Sequence, residues 1–377
     1  MACMTGPWIV LAPTHNTTVV IMTDKVDTDM DPPTKRAHKV VRRLLVTHGP
    51  CPDGMAAEAI IRLGGIEVHA GFRQSHGMPW TPVINKLREM VGPDHDTELL
   101  CVDIAPDDAT VAAVLECVNT QMIILDHHVS EHARCLGYAR ANPLKIAFVY
   151  GEGRDCGAVL ARKWVELQVP GHLECAGLRE DVIGYIAEAD TTNAVHPMAW
   201  ALRTANLEQM TAALTASEDA HAVAMEAARG QCERDQATML GLITSGIAVG
   251  APPVPVFCTF SASPLFHKFV ASFLWYIVPA CAPVSLMFTG EEGNASGISI
   301  RVPPHLNEKG VTALDIVNIA KGTTFVGLGG GGHADAAAIQ FSDATKVEGP
   351  MNRERAADLA RQISVLVTTR ISAPPSV

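Results

Sequence analysis

Met122-Ile123-Ile124-Leu125-Asp126-His127-His128-Val129 places three residues of metal- or phosphate-binding type directly behind an uninterrupted apolar run. An apolar run this short reads as a buried strand, and the exits of strands in an open parallel sheet are where ligands bind. The pattern recurs upstream. Leu44-Leu45-Val46-Thr47-His48 is a strand followed by the loop Gly49-Pro50-Cys51-Pro52-Asp53-Gly54 and a helix from Met55 to Leu63. Leu99-Leu100-Cys101-Val102 is another, ending at Asp103, with Asp107 or Asp108 as cap of a helix running through Val118.

Between these runs, Ile66 to Ala70 reads as a strand and Val83 to Met90 as a helix. Alternation of strand and helix from Arg43 to Asn193 predicts a parallel α/β sheet. Beyond the triplet, Cys156-Gly157-Ala158 opens a helix reaching about Leu167, and a further helix from Asp181 to Ala189 ends at Asp190. Residues 205–240 are Ala-rich with mixed charge, a long helix or helix pair of the kind that joins domains. From Ile247 the pattern becomes strands and turns: Val254 to Phe260, Val284 to Phe288 and Ile298 to Val302. This predicts a second, smaller α/β domain, followed by an amphipathic helix from Arg353 to Val367.

A chain of 377 residues with 48% hydrophobic and 18% charged residues has material for two packed cores. Its formal net charge of −11 argues against a long electropositive track for extended nucleic acid, whose affinity comes from neutralising many phosphates. Small phosphorylated substrates stay compatible with it if a metal supplies the positive charge. The ten cysteines form no paired CxxC spacing, which fits reduced thiols in an intracellular, cytoplasmic protein. The uncharged run from Phe269 to Phe288 is interrupted by Pro279 and Pro283. With Ser263 as N-cap and Pro264 behind it, it reads as a helix to about Val278 and then a strand, not as a membrane span.

His48, Asp53, Asp103, Asp126, His127 and Asp190 offer mixed imidazole and carboxylate donors from at least four segments, a set suited to Mn²⁺ and related divalent ions. Two such ions about four ångströms apart could clamp a phosphoryl group and activate water at neutral pH. Each residue alone has a structural alternative: Asp103 or Asp190 as a helix cap, His48 as a satisfied packing residue. Their coincidence at strand ends favours the site. A second cluster, Gly327-Leu328-Gly329-Gly330-Gly331-Gly332-His333-Ala334-Asp335-Ala336-Ala337-Ala338, offers backbone amides for an anion nest, with the Ala-rich segment as a helix N-terminus behind it, or else a flexible linker. Arg301 could pair a phosphate in bidentate fashion, or be an exposed strand charge.

Together, His48-x-x-Cys51-x-Asp53-Gly54, Asp103, Asp126-His127-His128, Asp190 and Gly329-Gly330-Gly331-Gly332-His333-Ala334-Asp335-Ala336-Ala337 resemble the DHH phosphoesterase superfamily with its DHH-associated C-terminal domain, over about residues 43 to 345. The resemblance implies an extension at 1–42, a catalytic domain at 43–204, a helical linker at 205–240, a substrate-binding domain at 241–346 and a helix and tail at 347–377, with a catalytic cleft between the domains. It implies Mn²⁺ as cofactor, one or two ions, with Mg²⁺, Co²⁺ or Zn²⁺ as substitutes. His48 and Asp103 would hold one ion and Asp53, Asp103, His127 and Asp190 the other. Asp126 would orient His127, His128 would face the scissile phosphate, and Arg301 with Gly329 to His333 would hold the far end of the substrate.

One residue departs from the family's pattern. Its first motif carries two Asp residues one position apart, and Cys51 stands in place of the first. As a thiolate Cys51 could ligate a softer ion such as Zn²⁺; as a buried thiol it would be inert. The resemblance implies hydrolysis of phosphodiester or phosphoanhydride bonds. The expected substrates are short single-stranded oligonucleotides or cyclic dinucleotides, with polyphosphate or pyrophosphate as the rival. The alternative is a nucleotide- or RNA-binding protein that has lost catalysis. Edge-strand pairing into a homodimer is compatible with either.

Overall fold

The computed structural model describes residues 17–20, 40–49, 51–75, 78–191, 196–249, 256–261, 283–323, 330–332, 336–341 and 351–372. The chain forms two compact units, one of residues 1–192 and 202–224, the other of residues 193–201 and 225–377. The division falls at 224/225, inside the long helix of the stretch read as a linker.

The first unit is built on a six-stranded sheet. Its strands are β1 (Thr17–Val20), β2 (Val40–His48), β3 (Ala70–Gln74), β4 (His95–Val102), β5 (Thr120–Asp126) and β6 (Ile146–Gly151). Their spatial order is β1-β6-β5-β4-β2-β3. Strands β2 to β6 run parallel, and β1, from the stretch read as an extension, pairs antiparallel to β6 at the edge. Alternate residues of the central strands pack to opposite faces, as a parallel sheet covered on both sides requires. Leu44, Val46, Leu99, Cys101, Met122 and Ile124 share one core with Val83 and Leu87 of α2 (Thr81–Met90) and Val111 and Val114 of α3 (Asp108–Glu116). Cys135 and Ala139 of α4 (Val129–Ala141) complete it. Helices α1 (Pro52–Leu63) and α5 (Gly157–Gln168) pack against each other, and α5 also packs against β4 and β5.

The helix starts follow local chemistry. Asp107 caps α3 by accepting from Thr110 N at 2.8 Å and Thr110 Oγ1 at 2.6 Å. Asn206 and Gln209 form a reciprocal capping box at the start of the helix Leu207–Leu214. Residues 205–240 are thus a helix pair, the second member being Glu218–Ser245.

One strand lies elsewhere than expected. The strand read at Ile66 to Ala70 is Ala70–Gln74, because its register is set by the ladder with β2, from Leu44↔Ala70 to His48↔Gln74. As an edge strand it does not need a continuous apolar run, and Arg73 lies there in an ion pair with Glu58 at 3.2 Å.

The second unit has its own six-stranded mixed sheet. It comprises β7 (Ile247–Val249), β8 (Val256–Ser261), β9 (Val284–Thr289), β10 (Gly297–Arg301), β11 (Gly330–Gly332) and β12 (Ala336–Gln340). One face packs on the helices Ala313–Thr323 and Arg353–Ser372 through Leu286, Phe288, Ile300, Ile316, Leu359 and Ile363. On the other face Phe257 and Met287 meet Trp200, Cys232 and Met239. The Ala-rich segment expected to start a helix is instead β12, paired with β10 on one side and β11 on the other. Ala336, Ala337 and Ile339 are buried while Ala338 is exposed. Gly330, Gly331 and Gly332 are correspondingly an edge strand rather than a nest. The helix expected from Ser263 to Val278 lies outside the described residues, as do Gly329 and His333. No helix among the described residues is long and apolar enough to cross a membrane.

Leu99 is fully buried beside β2 and β5, whereas Val118 is 74% exposed. Leu99→Ala is expected to destabilise the first unit by about 2–5 kcal/mol and Val118→Ala to change stability by under about 0.5 kcal/mol, both read by urea denaturation.

Candidate metal centre

In the parallel set β3-β2-β4-β5-β6, the chain leaves β2 outward to β3 and then returns to the other side of β2 as β4. The order therefore reverses between β2 and β4, and ligand crevices form beyond the carboxyl ends of strands at such a point. His48 ends β2 there, and Asp103 follows β4 there. Asp126, His127 and His128 leave β5, and Asp190 comes from the helix Glu180–Thr191.

Asp103 has φ 62°, in the left-handed region that costs a non-glycine residue steric strain. This backbone presents both of its carboxylate oxygens to partners. Oδ1 lies 3.0 Å from His127 Nε2, and Oδ2 lies 3.4 Å from His48 Nδ1 and 3.3 Å from Cys51 Sγ. His127 Nε2 is also 3.8 Å from Asp53 Oδ2 and 3.6 Å from Asp190 Oδ2. Three carboxylates thus converge on one imidazole nitrogen.

The chain holds Asp53 from behind. Gly157 N donates to its Oδ2 at 2.6 Å and Ala158 N to its Oδ1 at 2.8 Å, the first free amides of α5. This approach requires a glycine. A Cβ on Gly157 would stand 2.5 Å from Asp103 Cβ and 2.9 Å from Asp53 Oδ2. Gly54 is equally constrained, since a Cβ there would sit 1.9 Å from the His48 carbonyl oxygen.

The expected partnership of Asp126 is corrected by the geometry. Its Oδ1 accepts from the His128 ring at Nδ1, at 2.7 Å, and from the backbone amides of His127 and His128. Asp126 is the last strand residue, so its side chain folds over the next turn and reaches the second imidazole. The His127 ring turns to Asp103 instead.

The electrostatics follow from burial and like charge. Burial and repulsion from Asp103 and Asp190 push the Asp53 carboxyl well above the usual carboxylate range, although His127 pulls it down. Burial also pushes Asp103 up, but hydrogen bonds and charge from His127 and His48 outweigh it and leave this carboxyl well below that range. Burial alone would lower His127, yet the bond to Asp103 and the charges of Asp103, Asp190 and Asp53 raise it to about 10. His128 rises to about 9 because Asp126 outweighs its burial. Burial and the neighbouring acids raise both the Cys51 and the Cys156 thiols.

The donors fit a divalent cation. Donor atoms of His48, Cys51 and Asp103, of Asp103, His127 and His128, and of Asp53, His127 and Asp190 lie within 4.8 Å of one another in each set. Mutually repelling carboxylates out of water need a positive charge among them, and the imidazolium of His127 fills that place in the metal-free protein. Asp126 Oδ2 is a buried oxygen with no hydrogen-bond partner among the described residues. The site residues expected in the first unit, His48, Cys51, Asp53, Asp103, Asp126, His127, His128 and Asp190, come together. Arg301 and Gly330 to Gly332 belong to the second unit. Sequence reasoning passed over the Cys156 thiol, which is buried beside Asp53, and the amides of α5. The signal was there in Cys156-Gly157-Ala158, a helix start with a glycine at its first position.

Among solved structures, the fold matches the DHH domain of a member of a family of ribosomal proteins. The TM-score is 0.57 at 15% identity, with 86% of each chain covered. The fold is similar to that of this DHH domain. An uncharacterized protein from Helicobacter pylori G27 (TM-score 0.33, 12% identity, 88% of this chain and 100% of that one) superposes less closely. So does CDC45 from Entamoeba histolytica (TM-score 0.41, 10% identity, 87% and 95%). No protein-family model and no curated protein matches the sequence.

Two outcomes are expected. Gly157→Ala should leave the protein folded but weaken divalent-ion binding by about tenfold or more, read by calorimetric titration, because it displaces the carboxylates it touches. In chelator-treated protein, His127 and His128 have folded pKa values above the unfolded value of about 6.5. Their stabilisation is therefore complete below about pH 6.5 and lost as the pH rises through 9 and 10. Urea denaturation of the metal-free protein should show lower stability at pH 9.5 than at pH 6.5, and His128→Asn should flatten that slope.

Proposed function

We propose that this chain is a divalent-metal-dependent phosphoesterase of the DHH type, hydrolysing phosphodiester or phosphoanhydride bonds in small substrates, with Mn²⁺ as its ion. The observation that carries the reading is the convergence of Asp53, Asp103 and Asp190 on His127 Nε2 at the switch point of a DHH-domain fold. Such a site is built to hold cations where phosphate oxygens arrive.

Asp103 would bridge two ions, one held with His48 and the other with Asp53, His127 and Asp190. Divalent ions bound there polarise phosphoryl oxygens and activate water. The residues of the chain do the rest. The amides of Gly157 and Ala158 fix the Asp53 carboxylate, so it need not reorganise when charge builds up on the phosphate. Asp126 commits Nδ1 of His128, which makes Nε2 the nitrogen through which that ring would donate a hydrogen bond or a proton to the substrate.

The net charge of −11 favours substrates of one to a few nucleotides, short oligonucleotides or cyclic dinucleotides, over long strands. A second reading, a nucleotide-binding protein without catalysis, is favoured by Cys51 alone. Purified protein with Mn²⁺ should hydrolyse at least one of a panel of dinucleotides, cyclic dinucleotides, pyrophosphate and polyphosphate. Asp103→Asn should lower that rate by about a thousandfold or more, the scale of losing a group that stabilises transition-state charge. Failure on the whole panel with two ions bound per chain would sink the enzyme reading and leave the binder.

A further inference from the structure

Resting on the metal-centre reading above, we propose that His48, Cys51 and Asp103 form a thiophilic metal site. This chain would hold a soft ion such as Zn²⁺ through the Cys51 thiolate, beside a harder ion in the carboxylate set of Asp53, His127 and Asp190. The two carboxylate oxygens of Asp103 face different company. Oδ1 meets His127, while Oδ2 meets both Cys51 Sγ at 3.3 Å and His48 Nδ1 at 3.4 Å. Cys51 Sγ is itself 3.5 Å from His48 Nδ1, so sulfur, nitrogen and oxygen donors stand in mutual contact. Thiolate donors select Zn²⁺ and similar ions, and carboxylate-rich sets select Mn²⁺ or Mg²⁺. Three protein donors of these types leave room for a further ligand, as in catalytic zinc sites.

The thiol is aimed before any ion arrives. Cys51 is the N-cap of α1 with an extended backbone, φ −138° and ψ 152°, and Pro52 fixes the first helical position. Gly54 N donates to Sγ at 3.1 Å, and an amide at a helix N-terminus favours a negatively charged sulfur. On metal binding the thiol proton passes to solvent and the sulfur ligates as thiolate.

The same three residues do not make a cysteine nucleophile. In a Cys-His relay the sulfur and the orienting carboxylate occupy opposite ring nitrogens. Here both contacts fall on Nδ1 of His48. Cys156 provides the internal comparison. It too is buried beside the acids, as cap of α5, but among the described residues it joins no three-donor set.

The test uses the full-length protein stripped with chelator and titrated with Co²⁺, whose thiolate-to-metal charge-transfer absorption in the near ultraviolet reports sulfur ligation. Wild type should show this band, Cys156→Ser should retain it, and Cys51→Ser and Cys51→Asp should both lose it while still binding an ion. In competition between Zn²⁺ and Mn²⁺, Cys51→Asp should shift the preference toward Mn²⁺ by about tenfold or more, because it exchanges a soft sulfur donor for a hard oxygen. Bound Co²⁺ without the band, or a band that depends on Cys156 instead, overturns the thiophilic site and leaves the phosphoesterase reading standing. Absence of any bound ion overturns both.

Discussion

A single carboxylate, Asp103, ties together the side chains on which this site depends. It can do so only because its backbone is held at φ 62°, beyond the end of β4, where an ordinary residue would continue in extended or helical form. Strain of this kind persists where the surroundings over-determine it. The surroundings here are the His127 and His48 rings, the Cys51 thiol and the α5 N-terminus, whose Gly157 admits the Asp103 Cβ at a distance no larger residue would allow. Remove the glycine and the carboxylate has nowhere to sit.

The sheet explains why these groups meet. In the order β3-β2-β4-β5-β6 the reversal between β2 and β4 leaves their exits adjacent with the following connections diverging. His48, the Cys51–Asp53 turn and Asp103 therefore share one crevice, and the Asp126-His127-His128 exit of β5 lies one strand further on. Within that last triplet the labour is divided: one imidazole joins the acid cluster, and the other is oriented by Asp126. Burial makes the arrangement costly without a cation, as the raised Asp53 carboxyl and the raised His127 imidazole both express.

Much of this was legible from residue pattern. Apolar runs ending in acids or histidines located β2, β4 and β5 and the ligands at their ends, because a strand buried on both faces has no freedom in composition. Other features were hidden for physical reasons. Strand β3 sits four residues later than its apolar run because a ladder with β2 decides an edge strand's register. Strand β6 ends at Gly151, which bears no ligand-type side chain, so reasoning from strand-end ligands passes over it. The alanines of β12 look helical by propensity, yet cross-strand pairing on both sides overrides that preference. The turn of Asp126 toward His128 rather than His127 depends on side-chain direction at a strand end, which spacing does not encode. The Cys51 substitution was visible at once, but its contact with both His48 and Asp103 was not.

The central claim is that the acid and imidazole cluster at the switch point is a cation site. The most direct measurement is anomalous diffraction at the manganese edge from crystals grown with Mn²⁺. A peak bounded by Asp53, Asp103, His127 and Asp190 is expected. A well-ordered cluster with His127 still hydrogen-bonded to Asp103 and no anomalous peak among these residues would contradict it.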